Sequence, residues 1–137
     1  MRLRAKYLLA GDLQLVENGV VEVDDQGVIV GVGKYTGGVA ADLGNVVLMP
    51  QLLNAHVHVL DAAMADRDDL YIDDLVGWPH GAKYHVVKTL VRRRKHIPLL
   101  RAVARRMRSY GVGCAVIYAE YAARDVEEVF RGEGIEA

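Results

Sequence analysis

Up to Pro50 the apolar residues fall in short runs, AKYLL at 5–9, VVEV at 20–23, VIVGV at 28–32 and NVVLM at 45–49, separated by turn formers. VVEVDDQGVIVGV reads as two strands joined by a Gly-containing turn at Asp24 to Gly27. These runs predict a small antiparallel β layer. After Pro50 the texture changes. One apolar run, QLLNAHVH, ends in His56 and His58, and a segment with Gly77, Trp78, Pro79 and Gly81 follows. From about Lys83 to Tyr110 the apolar positions Val86, Val87, Leu90 and Val91, then Leu100, Val103, Ala104 and Met107, recur at three- and four-residue steps. That spacing predicts a helical stretch with one buried face. Pro98 either kinks it or begins a second helix at its first turn. Gly111 ends it, VGCAVIYAE at 112–120 reads as a strand, and a short helix is expected over about Ala123 to Arg131. Strand, long crossover and strand are the signature of parallel βα units, with a third strand expected to begin near GEGIEA at 132–137.

Composition narrows the class. A chain of 137 residues that is 52% hydrophobic and 26% charged can bury one sizeable core, so a soluble globular domain is the default. The net charge of −1 implies no global attraction to nucleic acid or anionic membrane. The start, MRLRAKYLLAGDLQ, has too short an apolar patch for a signal-peptide core, and nowhere do about 18 apolar residues run unbroken, so the cytoplasm is the expected compartment. The single cysteine, Cys114, makes no internal disulfide and no CxxC pattern; it reads as a small buried apolar residue.

The chemistry lies in the two histidines. On a strand, residues i and i+2 project to one face about 6.5–7 Å apart, so His56 and His58 point together while Val57 points away. Imidazole nitrogen binds a borderline-soft ion such as Zn²⁺ at about 2.0–2.1 Å, and two rings supply two ligands of a site that needs three or four. The HxH spacing alone is a weak motif.

The context sharpens it. The β-rich start, then LMP and QLLNAHVH, then a long loop before the first helix, resembles the amidohydrolase superfamily, whose typical stretch is Pro-Gly-apolar-apolar-Asn/Asp-x-His-x-His. VVEVDDQGVIVGVG resembles the family's hairpin ahead of the barrel. PHGAKYHVVKTL and MRSYGVGCAVIYAE are similar to the first crossover and second barrel strand of cytosine-deaminase-like and chlorohydrolase-like members. The resemblance implies an α/β fold: residues 1–49 as part of a β-sandwich layer, and residues 50–137 as the first two βα units of a (β/α)₈ barrel of the TIM type, both incomplete in this chain. It implies a metal at the C-terminal mouth, Zn by preference with Fe, Co or Mn as alternatives, and a metal-activated water that hydrolyses a C–N bond of a small cyclic or aminated substrate. His56 and His58 would be the first-strand ligands. The family's later histidines and its aspartate base have no counterpart in these residues, so no catalytic residue is assigned and the chain alone is expected to be inactive.

Other residues are candidates through the same resemblance. Trp78 and His80, with Lys83, fall in the loop above the first strand, and Glu120 ends the second; all sit where substrate contacts gather in such barrels. Asp61, three residues past His58, is a candidate to hydrogen-bond a ligand histidine. His85 and His96 are expected at the helical surface. Gln51 stands where the family has glycine and would strain the strand entry if its φ is positive, in which case Gln51→Gly should stabilise. Expected partners are a small-molecule substrate, and a second copy or second chain completing the barrel, with neither nucleic acid nor membrane. Two rival readings remain open: a non-catalytic scaffold or partial product whose open parallel sheet needs a partner chain, and a nucleic-acid-binding helix built on VRRRKH with Arg101, Arg105, Arg106 and Arg108.

Overall fold

The computed structural model describes residues 1–64 and 69–137. It is a mixed α/β fold in two compact units, Met1–Pro50 and Gln51–Ala137.

In the first unit β1 (Arg2–Leu9), β2 (Leu15–Val23) and β3 (Ile29–Lys34) form an antiparallel meander. The β2–β3 turn follows from its sequence. Asp24 Oδ1 accepts hydrogen bonds from the Gln26 and Val28 amides at 2.9 and 2.8 Å, and Gly27 takes the left-handed φ of +82° that the turn requires. Gly19 pairs with Ala5 in the β1–β2 ladder, and a Cβ there would collide with the Leu8 side chain. The layer is mixed rather than purely antiparallel. After β3 the chain crosses back, and β4 (Ala41–Asp42) and β5 (Val47–Leu48) each run parallel to β1, so the expected antiparallel layer is corrected to a mixed sheet.

The second unit begins with β6 (Leu52–Val57) and runs parallel to β7 (Val112–Ile117). Between them come a 3₁₀ turn (Val59–Ala63), a short helix α1 (Ile72–Val76) that the apolar spacing does not predict, α2 (Ala82–Arg92) and α3 (His96–Ser109). The helical stretch thus divides. Arg94 adopts a left-handed φ of +53°, the Lys95 amide reaches back to the Leu90 carbonyl, and Pro98 falls in the first turn of α3, where its missing N–H costs nothing. Helix α4 (Ala123–Gly132) follows β7, and the chain then returns to the sheet. Glu136 bridges Cys114 in parallel, with the Glu136 amide bonded to the Gly113 carbonyl and the Ala115 amide to the Glu136 carbonyl.

One core holds this unit together: Val59, Leu60, Val87, Leu100, Ala104, Ala115, Val126, Phe130 and Ile135. His96 lies within it at 1% exposure, not at the surface where helical spacing put it, and its Nε2 meets Asp125 Oδ2 at 2.6 Å. His85 is exposed. Arg101 and Arg105 reach Glu133 at 3.2 and 2.9 Å, and Arg108 donates to the Glu133 carbonyl, so three arginines of the basic cluster clasp α3 to the end of α4. No helix among the described residues is long and apolar enough to cross a membrane.

Gln51 is not among the non-glycine residues with positive φ, which among the described residues are Leu13, Asn18, Arg94 and Ala122. The strain considered for it is absent, and the expectation that glycine would stabilise this position is corrected. Its side chain instead lies over Gly113, where a Cβ would overlap the Gln51 carboxamide. Gln51→Gly should therefore lower stability by about 0.5–1 kcal/mol through backbone entropy alone, read as a fall in melting temperature. A rise would mean that the strand entry is strained after all.

Candidate metal centre

β6 and β7 are in register at Val57 and Ile117, and the Tyr118 amide donates to the Val57 carbonyl at 2.9 Å. Val57, Ile117, Ala119 and Tyr121 pack on the helical core. Alternation sends His56, His58, Tyr118 and Glu120 the other way, at the C-terminal ends of both strands. The pairing is irregular just before the histidines: the step from Asn54 to Val57 in β6 faces the step from Ala115 to Ile117 in β7, an extra residue that bulges β6. Asn54 supports the bulge by accepting the His56 amide on its side-chain oxygen at 3.2 Å.

The three rings form one cluster. The His56 and His58 centroids are 5.1 Å apart, and the Tyr118 ring lies 4.3 Å from His56 and 5.3 Å from His58. Two imidazoles bound to one tetrahedral ion at about 2.0–2.1 Å have centroids about 5 Å apart, so the pair fits a zinc-like ion in separation and in donor type. His58 Nδ1 lies 2.9 Å from Glu120 Oε1, so Nε2 is the nitrogen of that ring left to take an ion.

Lys83 completes the site. Its side chain, in the first turn of α2, is only 6% exposed, and its Nζ sits 2.6 Å from Glu120 Oε1 and 2.8 Å from Asp61 Oδ1. Asp61 thus pairs with an ammonium rather than with a ligand histidine, and Glu120 holds the position beside His58. The coordinating atoms of His58, Asp61 and Glu120 lie within 4.8 Å of one another, a set that could take a cation, and the Lys83 ammonium already lies against both of its carboxylates. Tight backbone packing brings Lys83 there. Gly81 precedes α2 with its amide on the Gly77 carbonyl at 2.6 Å, and a Cβ on Gly81 would run into the backbone of Leu75 and Gly77.

Trp78 is exposed, edge-on to Tyr84 at 5.0 Å, and Lys88 lies over its ring; Tyr84 in turn meets Tyr121, the neighbour of Glu120. His80 is exposed in the turn before α2 and makes none of these contacts among the described residues. Sequence reasoning did not single out Tyr118 and counted Lys83 as a loop residue. The signal for Lys83 was available only as a lysine two residues after Gly81, which is no signal without the fold.

Burial works against the charge on Lys83, but its bonds to Asp61 and Glu120 and their charges outweigh it, so the pKa is raised above 10.5. Burial likewise disfavours ionised Glu120, and bonds from Lys83, the backbone and His58 outweigh it, holding the carboxyl below 4.5. A depressed carboxyl contributes stability above its unfolded pKa and loses it as pH falls through the folded value; a raised lysine contributes below 10.5 and loses it only in stronger alkali. Across neutral pH the pair is constant. Glu120→Gln should flatten the acid limb of the stability curve below about pH 4.5 relative to wild type, as read by melting temperature against pH. Parallel acid limbs in the two proteins would contradict the pairing.

No family model matches the chain. A protein of Methanothermobacter thermautotrophicus, provisionally named an aminohydrolase, is 26% identical over 115 residues, which is 82% of this chain and 28% of that protein. Among solved structures, guanine deaminase from C. acetobutylicum matches 96% of this chain and 32% of its own at 15% identity and a TM-score of 0.69. Ochratoxinase from A. niger matches 98% and 29% at 18% identity and a TM-score of 0.64, and E. coli guanine deaminase matches 95% and 34% at 14% and 0.62. The structures share the fold with nearly all of this chain, which spans about a third of the length of the proteins it matches. In sequence the chain is similar to a provisionally named aminohydrolase, and in fold it is similar to a part of guanine deaminases and of ochratoxinase.

Proposed function

We propose that this chain supplies the first-strand metal ligands, His56 and His58, of a metal-dependent hydrolase that cleaves C–N bonds in a small cyclic or aminated substrate. The observation that carries the reading is the convergence of the two imidazoles, 5.1 Å apart at the ends of paired parallel strands, with Glu120 on the far nitrogen of His58. The likeness in fold to deaminases supports it. The βα order of residues 51–137 supports reading them as the opening units of a (β/α)₈ barrel, in which strand C-terminal ends carry the chemistry.

When bound, a divalent ion, with zinc the best match to two imidazoles, acidifies a water so that it attacks near neutral pH. The chain's own groups do the rest. His56 and His58 offer ring nitrogens; Glu120, accepting only, keeps the proton of His58 on Nδ1. Tyr118 covers the faces of both rings and keeps water from one side of them. Glu120, just past the end of β7, and Trp78, linked to it through Tyr84 and Tyr121, serve with His80 as the candidate substrate contacts, the exposed Trp78 ring offering a flat apolar surface to a planar heterocycle. Both carboxylates of the site, Asp61 and Glu120, are paired with Lys83, and no catalytic base is assigned.

His56→Ala and His58→Ala are each expected to remove most of the bound metal while leaving the far-ultraviolet circular dichroism unchanged, because each deletes a ligand and neither side chain belongs to the core. Elemental analysis of the protein purified with zinc measures this. Undiminished metal in both variants would sink the assignment.

Two imidazoles leave the 137-residue chain at least one protein ligand short of the usual catalytic zinc site. Its zinc dissociation constant should be micromolar or weaker, about 8 kcal/mol of binding or less, in a titration against a chromophoric chelator. Nanomolar binding, or turnover of an aminated ring above the metal-buffer blank, would show a complete site, for instance one assembled across two copies.

A further inference from the structure

We propose that Lys83 is a positioning residue of the metal-binding face: its ammonium fixes the Glu120 carboxylate so that one oxygen accepts His58 Nδ1–H and the Nε2 lone pair of His58 is held toward the ion. This rests on the metal-ligand reading of His58. Three distances carry it. Glu120 Oε1 is 2.6 Å from Lys83 Nζ and 2.9 Å from His58 Nδ1, and Lys83 Nζ is 2.8 Å from Asp61 Oδ1.

A single oxygen shared by two donors has little freedom, since any shift toward one lengthens the bond to the other. Which donor sets its place is decided by burial. The Lys83 side chain is 6% exposed, against 34% for His58 and 24% for Glu120. A lysine so deep is tolerated only when it is paired, and its four-carbon stem is walled in on α2 next to the buried Tyr84 and Val87. The ammonium is therefore the fixed point, and the carboxylate adjusts to it. Asp61 closes the arrangement from the other side. It sits in the 3₁₀ turn directly after His58, so its ion pair with Lys83 ties the end of β6 to α2, while Glu120 ties the end of β7 to the same nitrogen. One buried cation thus gathers both strand ends.

The chemical consequence concerns a proton. An ionised carboxylate only accepts, so the ring nitrogen facing it must carry hydrogen. Free histidine favours hydrogen on Nε2, the nitrogen that a metal would need bare. The Lys83–Glu120 pair reverses that preference before any ion arrives.

The test reads the proton directly in the metal-free protein. Long-range ¹H–¹⁵N correlation spectra at pH 8, with His58 assigned by loss of its signals in His58→Gln, report which ring nitrogen is protonated. Zinc titration against a chromophoric chelator reports affinity. Wild type should show His58 as the Nδ1–H form. Lys83→Met and Glu120→Gln should both move it toward Nε2–H and weaken zinc binding by about 10–100-fold, and Lys83→Arg should restore the wild-type tautomer. A wild-type spectrum with hydrogen on Nε2 overturns the proposal without any variant. So does a cooperatively melting Lys83→Met protein whose His58 keeps Nδ1–H and whose zinc affinity is unchanged or tighter, the outcome expected if the ammonium merely blocks a cation site. The tautomer needs no metal. A chain that binds no zinc yet shows the Lys83-dependent tautomer would overturn the metal reading, and with it the role toward an ion, while the control of the His58 proton by Lys83 and Glu120 would stand.

Discussion

The parallel register of β6 and β7 is the constraint on which the site depends. With Val57 opposite Ile117, the alternation of two extended chains leaves Val57, Ile117, Ala119 and Tyr121 on the helical core. His56, His58, Tyr118 and Glu120 are thereby left together on the opposite face. A slip by one residue in either strand would exchange these sets, burying imidazoles and a carboxylate among Leu60, Leu100 and Phe130. Exposing the apolar partners and burying unpaired polar rings would each cost several kcal/mol, so the same apolar pattern that builds the core also fixes where the histidines stand.

Register in a parallel pair is not set by a hairpin, since the strands are joined through α1, α2 and α3. Here it is set by the two irregularities that bracket it. At the entry, the step from Leu52 to Leu53 faces the step from Val112 to Cys114, so Gly113 is an extra residue in β7, and the Gln51 side chain lies over it. At the exit, the β6 bulge with its Asn54 side-chain bond turns His56 before the strand ends. The two bulges lie on opposite strands and compensate in count, so the pair starts and finishes in step. Gln51 and Gly113 are therefore one feature: the bulky residue at the strand entry is accommodated because its neighbour across the pair has no Cβ.

The histidine pair, the strand order and the last helix were legible in the sequence because each rests on local pattern: an HxH at the end of an apolar run, β-rich stretches between turn formers, three- and four-residue spacing closed by Gly111. The mixed character of the first sheet was not, because β4 and β5 are two residues each and pair with a strand some forty positions away. His96 was misplaced for a related reason. Its helical position faces α4, and only the presence of Asp125 at 2.6 Å makes its burial tolerable. Asp61 was legible as a carboxylate near the site but not its partner, and Glu120 was legible as a strand end but not its bond to His58. Both depend on Lys83, which a chain of letters shows only as one more basic residue at the start of a helix.

That lysine also decides the electrostatics of the face. In formal charge, one ammonium stands among two carboxylates, and the balance at the strand ends is one negative charge next to two imidazoles. Without Lys83 the two carboxylates would repel each other, and Glu120 would lose the cation that holds its carboxyl ionised. With a second lysine the face would be neutral and attract none. One ammonium against two carboxylates keeps Glu120 ionised and leaves the imidazoles as the softest donors at hand. It also leaves a residual negative charge that favours a cation beyond the reach of the ammonium itself, the setting in which the proposed ligands His56 and His58 would be preferred to the carboxylates.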